Sequence, residues 1–548
     1  MQETAVLIHP VRFLPLLALL AACLLIARRL IHYFQLESYQ FRGFFKTLDR
    51  QTDKAFLPGL ALAGVSLPAL LLCALLAGPG ASAAAVITVC VLMSAVILLA
   101  GLMIRRRLTA ANEKKPFRKT PRAVRLFIVL GLVLALGAWL MDLLSGCQAR
   151  QYGPGLTVLS LLPLLLPLWL CLAAVICVPV ERVIYELYFR DARRKLLAND
   201  RLIRIGITGS YGKTSTKFIL SEMLSQKYNV LTTPSSFNTP MGLTRVIRER
   251  LTPAHQVFVG EMGARHRHDI RELTRLVRPT VGLLTSVGPQ HLDTFGTIER
   301  VRDTKYDLIR ALPQDGLAVF SDDGGIVREL YEKTEVPRLL TGTEGSDAWA
   351  EDIALSPAGC SFRLCLKGRE PFMCETKLLG RHNILNIVQA AATAAALGVT
   401  EAQLRFAIMN LKPVEHRLNI VSNAGGVTVI DDAFNTNPTS SRCALDVLKM
   451  FPGRHIVVTP GMVELGPEEA RYNREFGEYM AKCADLALLV GRRHAAPVAE
   501  GLKAGGMAEE NILMFDTLDQ AVASLGAITQ PGDTVLYEND LPDNYTEA

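Results

Sequence analysis

The residues most able to do chemistry sit at a single glycine-rich loop. An apolar, strand-like run through residues 202–207 leads into Gly209-Ser210-Tyr211-Gly212-Lys213-Thr214, and a helical pattern follows over 215–225. Strand, glycine-rich loop, Lys-Thr and helix, in that order, make a phosphate cradle: loop amides and the helix N-terminus face the anion. Gly209, Ser210, Gly212 and Ser215 are the expected nucleotide contacts. Lys213 is expected to reach the terminal phosphates, and the Thr214 hydroxyl can ligate Mg²⁺. Five residues, rather than the common four, separate Gly206 from the Gly212-Lys213 pair, which is not the usual GTPase or transporter spacing. Other candidate groups are ambiguous in isolation. Glu261 reads as a carboxylate at a strand end, His291 as a loop histidine and Lys305 as a lysine on a helix. Cys360, Cys365 and Cys374 form the one cysteine cluster, but they lack paired Cys-x-x-Cys spacing and lie in strand-like sequence, so buried free thiols are expected.

The elements that must position these groups divide into two kinds. From residue 202 to 411, strand-like and helical apolar runs alternate, which predicts an α/β unit. Strands are expected at 256–260, 281–285 and 317–320, antiparallel strands within 350–379 and an alanine-rich helix over 390–398. A boundary near Lys412-Pro413 precedes a second, Rossmann-like set of strands at 427–430, 455–458, 486–490 and 535–537. The final residues, 543–548, are expected to fray.

The first third differs in kind. Half of all residues are apolar, and they concentrate before residue 180. Apolar stretches at 13–31, 56–77, 83–104, 126–144 and 156–179 each approach the ~20 residues that a helix needs to cross a bilayer. Six Lys or Arg lie within 28–54 and nine within 105–125, whereas 78–82 has none and 145–154 has only Arg150. Positively charged loops stay in the cytoplasm. Five crossings then put the N-terminus outside and everything after residue 180 inside. Much of the net charge of +7 is explained by this orientation, and no nucleic-acid partner is expected. Membrane lipids are. A cleaved signal peptide would require a small-residue site after Arg29, where basic and aromatic residues stand instead. The predicted organisation is a membrane region over 1–180, a linker helix over 181–199, a P-loop ATPase domain over 200–412 and a C-terminal domain over 413–548.

Six motifs in order resemble the Mur ligases, and MurF-type enzymes most closely. They are Ile207-Thr-Gly-Ser-Tyr-Gly-Lys-Thr-Ser-Thr-Lys217, Ser236-Phe-Asn-Thr-Pro-Met-Gly242, Glu261-Met-Gly263, Gly380-Arg-His-Asn-Ile-Leu-Asn-Ile387, Asp431-Asp-Ala-Phe-Asn-Thr-Asn-Pro438 and Gly461-Met-Val-Glu-Leu-Gly466. The resemblance implies a cytoplasmic ligase that uses ATP to turn a carboxylate into an acyl phosphate, which an amine then attacks. It implies that Glu261 and His291 hold a second Mg²⁺, and that Lys305 is carbamylated by CO₂ and so becomes an anionic metal ligand. It further implies that Asn238 belongs to the ATP site, that Asn383 and Asn386 lie on the adenine side, and that Arg417 and Asp432 reach the nucleotide from the third domain. Catalytic roles thus fall to Lys213, Glu261, His291, Lys305 and Arg417, and metal binding to Thr214, Glu261, His291 and Lys305.

The pattern departs from the family in three places. Membrane helices stand where a UDP-sugar-binding domain is expected, which draws attention to a lipid-linked carboxylate as an alternative to a soluble one. Phe434 replaces a tyrosine. An acidic stretch, Tyr537-Glu-Asn-Asp-Leu-Pro-Asp543, replaces a basic one. Both replacements bear on the choice of amine or acceptor. A membrane NTPase driving transport or signalling is the competing class, but it leaves Glu261, His291, Lys305 and the third-domain motifs unexplained.

Overall fold

The computed structural model describes residues 13–76, 81–109, 116–144, 159–235, 237–422, 424–434 and 436–540. The chain forms two compact units that meet in sequence between Ile184 and Tyr185. The expected loop at 145–154 and the frayed end at 543–548 lie outside the described residues, as do most of 78–82 and Ser236 and Asn435 of the quoted motifs.

In the first unit, helices α1 (Leu14–Leu36), α2 (Phe41–Arg50), α3 (Thr52–Leu76), α4 (Ala83–Thr109) and α5 (Pro121–Leu144) follow one another, and α6 (Leu166–Leu197) begins there and runs past Ile184. Five segments among the described residues are long and apolar enough to cross a membrane. Leu19, Ala22, Ile26, Leu62, Leu130 and Leu170 fill the space between helices, while Leu75, Leu99, Leu132 and Leu168 point outward. A leucine-covered exterior is unfavourable in water and satisfied by hydrocarbon. α1 contacts α3, α4 and α5. The charged segment after residue 180 is helical and continues α6 without a break to Leu197. The short α2 went unanticipated. Its Phe44 packs on Phe34 at 5.0 Å, and Thr47 donates to Glu37 at 2.7 Å.

The second unit contains two sheets. The first has nine strands in the order β2-β3-β1-β4-β5-β6-β7-β8-β9. They are β1 (Ile203–Thr208), β2 (Val230–Thr232), β3 (Val257–Glu261), β4 (Val281–Leu284), β5 (Leu317–Ser321), β6 (Arg338–Thr341), β7 (Ala348–Ser356), β8 (Gly359–Leu366) and β9 (Phe372–Thr376). Pairing is parallel from β2 through β7 and antiparallel from β7 to β9. The antiparallel strands therefore extend the same sheet. Cys360, Cys365 and Cys374 are buried free thiols on β8 and β9. Helix α7 (Lys213–Ser225) packs against α8 (Arg381–Ala396), whose small alanines permit close approach.

The second sheet has the order β10-β11-β15-β12-β13-β14. Its strands are β10 (Asn419–Ser422), β11 (Thr428–Asp432), β12 (His455–Thr459), β13 (Leu486–Val490), β14 (Ile512–Phe515) and β15 (Thr534–Glu538). All pair in parallel except β10, an antiparallel edge. In open sheets of this kind the carboxyl ends of the strands form the binding crevice. In the first sheet those ends, at β1, β3 and β4, carry the glycine-rich loop, Glu261 and Thr285.

Candidate active site

The loop after β1 is held rigidly from the side. The Ser210 hydroxyl donates to the Gly288 carbonyl at 2.9 Å and accepts from the Gly288 amide at 2.9 Å. The Tyr211 amide donates to the Ser286 hydroxyl at 2.8 Å. Gly212 takes φ 81° as the residue before α7, and a Cβ there would lie 2.7 Å from Asn386 Oδ1. A side chain would thus be both strained and obstructed. Asn386 also accepts from the Thr216 hydroxyl at 3.2 Å and donates to Asn383 at 3.4 Å, so the two expected adenine-side residues adjoin the loop through α7. Ser215 is half-buried in the first turn of that helix.

Two lysine side chains meet at one carbonyl. Lys213 donates to Gly209 O at 2.7 Å and Ser210 O at 3.2 Å. Lys305, on the helix Ile298–Arg310 and only 1% exposed, donates to the same Gly209 oxygen at 2.9 Å. Burial, opposed by Glu261 and aided by Arg417, pulls Lys213 down to about 8. Burial and the neighbouring Lys213 hold Lys305 well below the usual lysine range.

Glu261 ends β3 as a 1% exposed carboxylate with three donors. Thr214 donates at 3.0 Å, Lys217 at 3.1 Å and Asn238 at 3.2 Å. Lys217 also donates to the Ser235 carbonyl. A buried charge is tolerated when it is paired and fully hydrogen-bonded, as this one is. Lys217 was not singled out from the sequence, although its place one turn after Lys213 puts both on one helix face.

The second sheet contributes Arg417 and Asp432. Arg417 feels the fields of Asp432 and Glu261, and its guanidinium lies 4.6 Å from the Phe434 ring centroid. Phe434 thus stacks on a residue expected at the γ-phosphate. Burial, opposed by Arg417, raises Asp432 to about 7, and its Oδ1 accepts from the Leu418 amide at 3.2 Å.

His291 makes no hydrogen bond to Glu261 among the described residues. Its Nδ1 instead meets the Glu464 carboxylate, whose other oxygen is 3.3 Å from Arg265. Burial lowers the imidazole pKa despite Glu464, and Lys305 is near enough to lower it further. Glu464 stands in the quoted Gly461–Gly466 motif but had no assigned role. It comes from the second sheet's loops and touches a residue of the first, a long-range contact with no local sequence signal.

The buried groups around Gly209 and Glu261 are Lys213, Lys217 and Lys305 against one carboxylate, with Arg417 close enough to feel it. The cations Lys213, Lys217 and Arg417 outnumber that one carboxylate, which suits polyphosphate. Among the described residues no three His, Cys, Asp or Glu side chains gather to hold a metal. The side chains therefore fit Mg²⁺ only if nucleotide oxygens, or an anion on Lys305, complete the Thr214 and Glu261 oxygens.

Comparison with known proteins agrees with this geometry. Residues 207–394 match the Mur ligase middle domain, and 416–537 match the Mur ligase, glutamate ligase domain. The UDP-N-acetylmuramoyl-tripeptide--D-alanyl-D-alanine ligase of Escherichia coli (strain K12) is 33% identical over 307 residues, covering 54% of this chain and 67% of that protein. The enzyme of that name from Mycobacterium tuberculosis (strain H37Rv) is 32% identical, covering 61% and 69%. Among solved structures, MurF from Acinetobacter baumannii aligns with a TM-score of 0.61 at 27% identity, over 66% of this chain and 79% of that one. MurF ligase from Thermotoga maritima in complex with ADP aligns with a TM-score of 0.60 at 27% identity, over 66% and 82%. The chain belongs to the Mur ligase family.

Proposed function

We propose that this ATP-dependent ligase is a membrane-anchored, MurF-type enzyme of peptidoglycan precursor synthesis. It joins D-alanyl-D-alanine, or a related amine, to the terminal carboxylate of a muramyl tripeptide. A carboxylate oxygen attacks the γ-phosphorus of ATP and ADP leaves. The amine nitrogen then attacks the acyl carbon, phosphate leaves and the nitrogen loses a proton. The cluster of Lys213, Lys217 and Arg417 beside the Gly209 loop and Glu261 carries this reading, because two anionic reactants and a transferring phosphoryl group must be held together there.

In this reading the Gly209–Thr214 turn is a phosphate-binding P-loop and the second sheet a Rossmann-like domain. The domains are the membrane region 1–180, linker 181–199, central ATPase 200–412 and C-terminal domain 413–548. Asn238, Asn383, Asn386 and Asp432 border the nucleotide. Thr214, Glu261, His291 and Lys305 are the protein's share of two Mg²⁺ sites, and bound magnesium supplies neutralisation of phosphoryl charge. Lys305 is suited to carbamylation. A buried amine beside a second ammonium is favoured in its neutral form, which is the form that adds to CO₂ with loss of one proton. The resulting anion replaces a charge that would repel Mg²⁺ and compensates Lys213.

Five apolar helices favour a second reading of the substrate, a lipid-linked or polymeric carboxylate reached at the inner face of a bacterial-type cell membrane. ADP release by the full chain in detergent distinguishes the two. Release with UDP-linked muramyl tripeptide that depends on D-alanyl-D-alanine supports the first. Release only with lipid-extracted acceptors supports the second. ADP release without dependence on any amine would refute ligation.

A further inference from the structure

The first unit contains a shallow notch, open on one side, between α1 and α4. The two helices run the same way and nearly touch one turn earlier, where a Cβ on Gly101 would come 2.8 Å from the Ala22 Cβ. Four residues further along α4 is Arg105. Beyond the same point on α1 come Arg28, Arg29 and His32, and all four of these basic side chains line the notch. Phe117, from the segment before α5, forms one wall. The Arg28 guanidinium lies 5.3 Å from its ring centroid, and the His32 ring meets it edge-on at 6.1 Å. The remaining walls include Leu25 and Leu108.

Scattered loop cations would satisfy the charge bias that orients a membrane protein. Here, however, groups from two helices and a connecting segment share one recess, with an aromatic ring fixing two of them. We propose that the notch binds the phosphate of an anionic lipid, whose chains continue along the apolar side of Leu25 and Leu108. Guanidinium forks match phosphate oxygens two at a time, and basic pockets between helices at the cytoplasmic face take such headgroups. The lipid is the favoured source because the apolar walls offer nothing to a free phosphate ion. The proposal rests on the membrane reading above.

The test uses the full chain, extracted in a neutral detergent. Recovery in the soluble fraction without detergent would overturn the membrane reading itself, before any lipid is added. For extracted protein, thermal unfolding is followed on titrating dioleoyl phosphatidic acid, dioleoyl phosphatidylcholine or inorganic phosphate. The expected result is saturable stabilisation by phosphatidic acid alone, with affinity reduced at least tenfold in Arg28→Gln/Arg105→Gln. The single variant Arg28→Gln, which keeps most of the packing, should show a smaller loss in the same direction. Equal stabilisation by phosphatidylcholine, equal stabilisation by inorganic phosphate, or unchanged affinity in both variants would each overturn the proposal.

Discussion

Lys213 and Lys305 share one carbonyl oxygen, yet they are asked to do opposite things. Lys213 follows the loop and is proposed to face phosphate as a cation. Lys305 arrives from a distant helix and is proposed to become an anion. Lys305→Ala should lower turnover about 100-fold or more, the scale expected for removing a preorganised charge from a site of this kind. ATP binding should persist, because Lys213 and the loop amides remain. Acetate should restore part of the activity by occupying the vacated position, and Lys305→Arg should stay inactive. Near-normal turnover in Lys305→Arg, measured as amine-dependent ADP release, would show that a plain cation suffices. Glu464 is the corresponding test from the other sheet. It orients His291, so Glu464→Ala should reduce kcat by about tenfold, as loss of an outer-shell partner does. Unchanged kcat in steady-state kinetics would reduce the contact to packing.

The strand ends explain what could be read in advance and what could not. Residues 202–214 carried a local signal, since a buried parallel strand, a glycine-rich turn and a helix start are all encoded within a few residues. Gln256–Gly260 and, in the second sheet, β11, β12, β13 and β15 were legible for the same reason. β10 and β14 were missed because they are short edge strands with mixed composition, and pairing with a neighbour decides them. Glu464 and Lys217 were missed as site residues because their partners are distant in sequence or lie on the far side of the loop. Glu538 shows the same limit. Its segment read as an acidic loop, but the residue is fully buried at the end of β15 and accepts from Thr436 and Thr459. Burial raises its pKa from 4.5 to about 8. The folded chain therefore holds a proton there that the unfolded chain has released, and stability from this group falls as pH rises from about 4.5 to 8. Glu538→Gln should flatten that slope, with its melting temperature gaining on wild type toward pH 8. Parallel melting curves across that range would exclude a protonated Glu538.

At the scale of the whole chain, the predicted orientation rests on which side of the membrane each loop occupies. Within the first unit, Arg122 and Arg125 of α5 both reach Glu181 of α6, at 3.7 and 2.7 Å, so the charged ends of these two helices lie together. A reporter fused after Pro179 should register cytoplasm, and one inserted within 145–154 should register the outside. The reverse pattern would place the nucleotide loop away from ATP and refute the orientation. The outward leucines of the five apolar helices carry a further consequence. An enzyme dissolved in a bilayer is supplied in proportion to membrane area, whereas one dissolved in the cytosol is supplied in proportion to volume. As a cell enlarges, area and volume diverge. Wall precursor is consumed over an area, so the proposed anchoring through Leu75, Leu99, Leu132 and Leu168 would tie the capacity to make it to the surface it must cover.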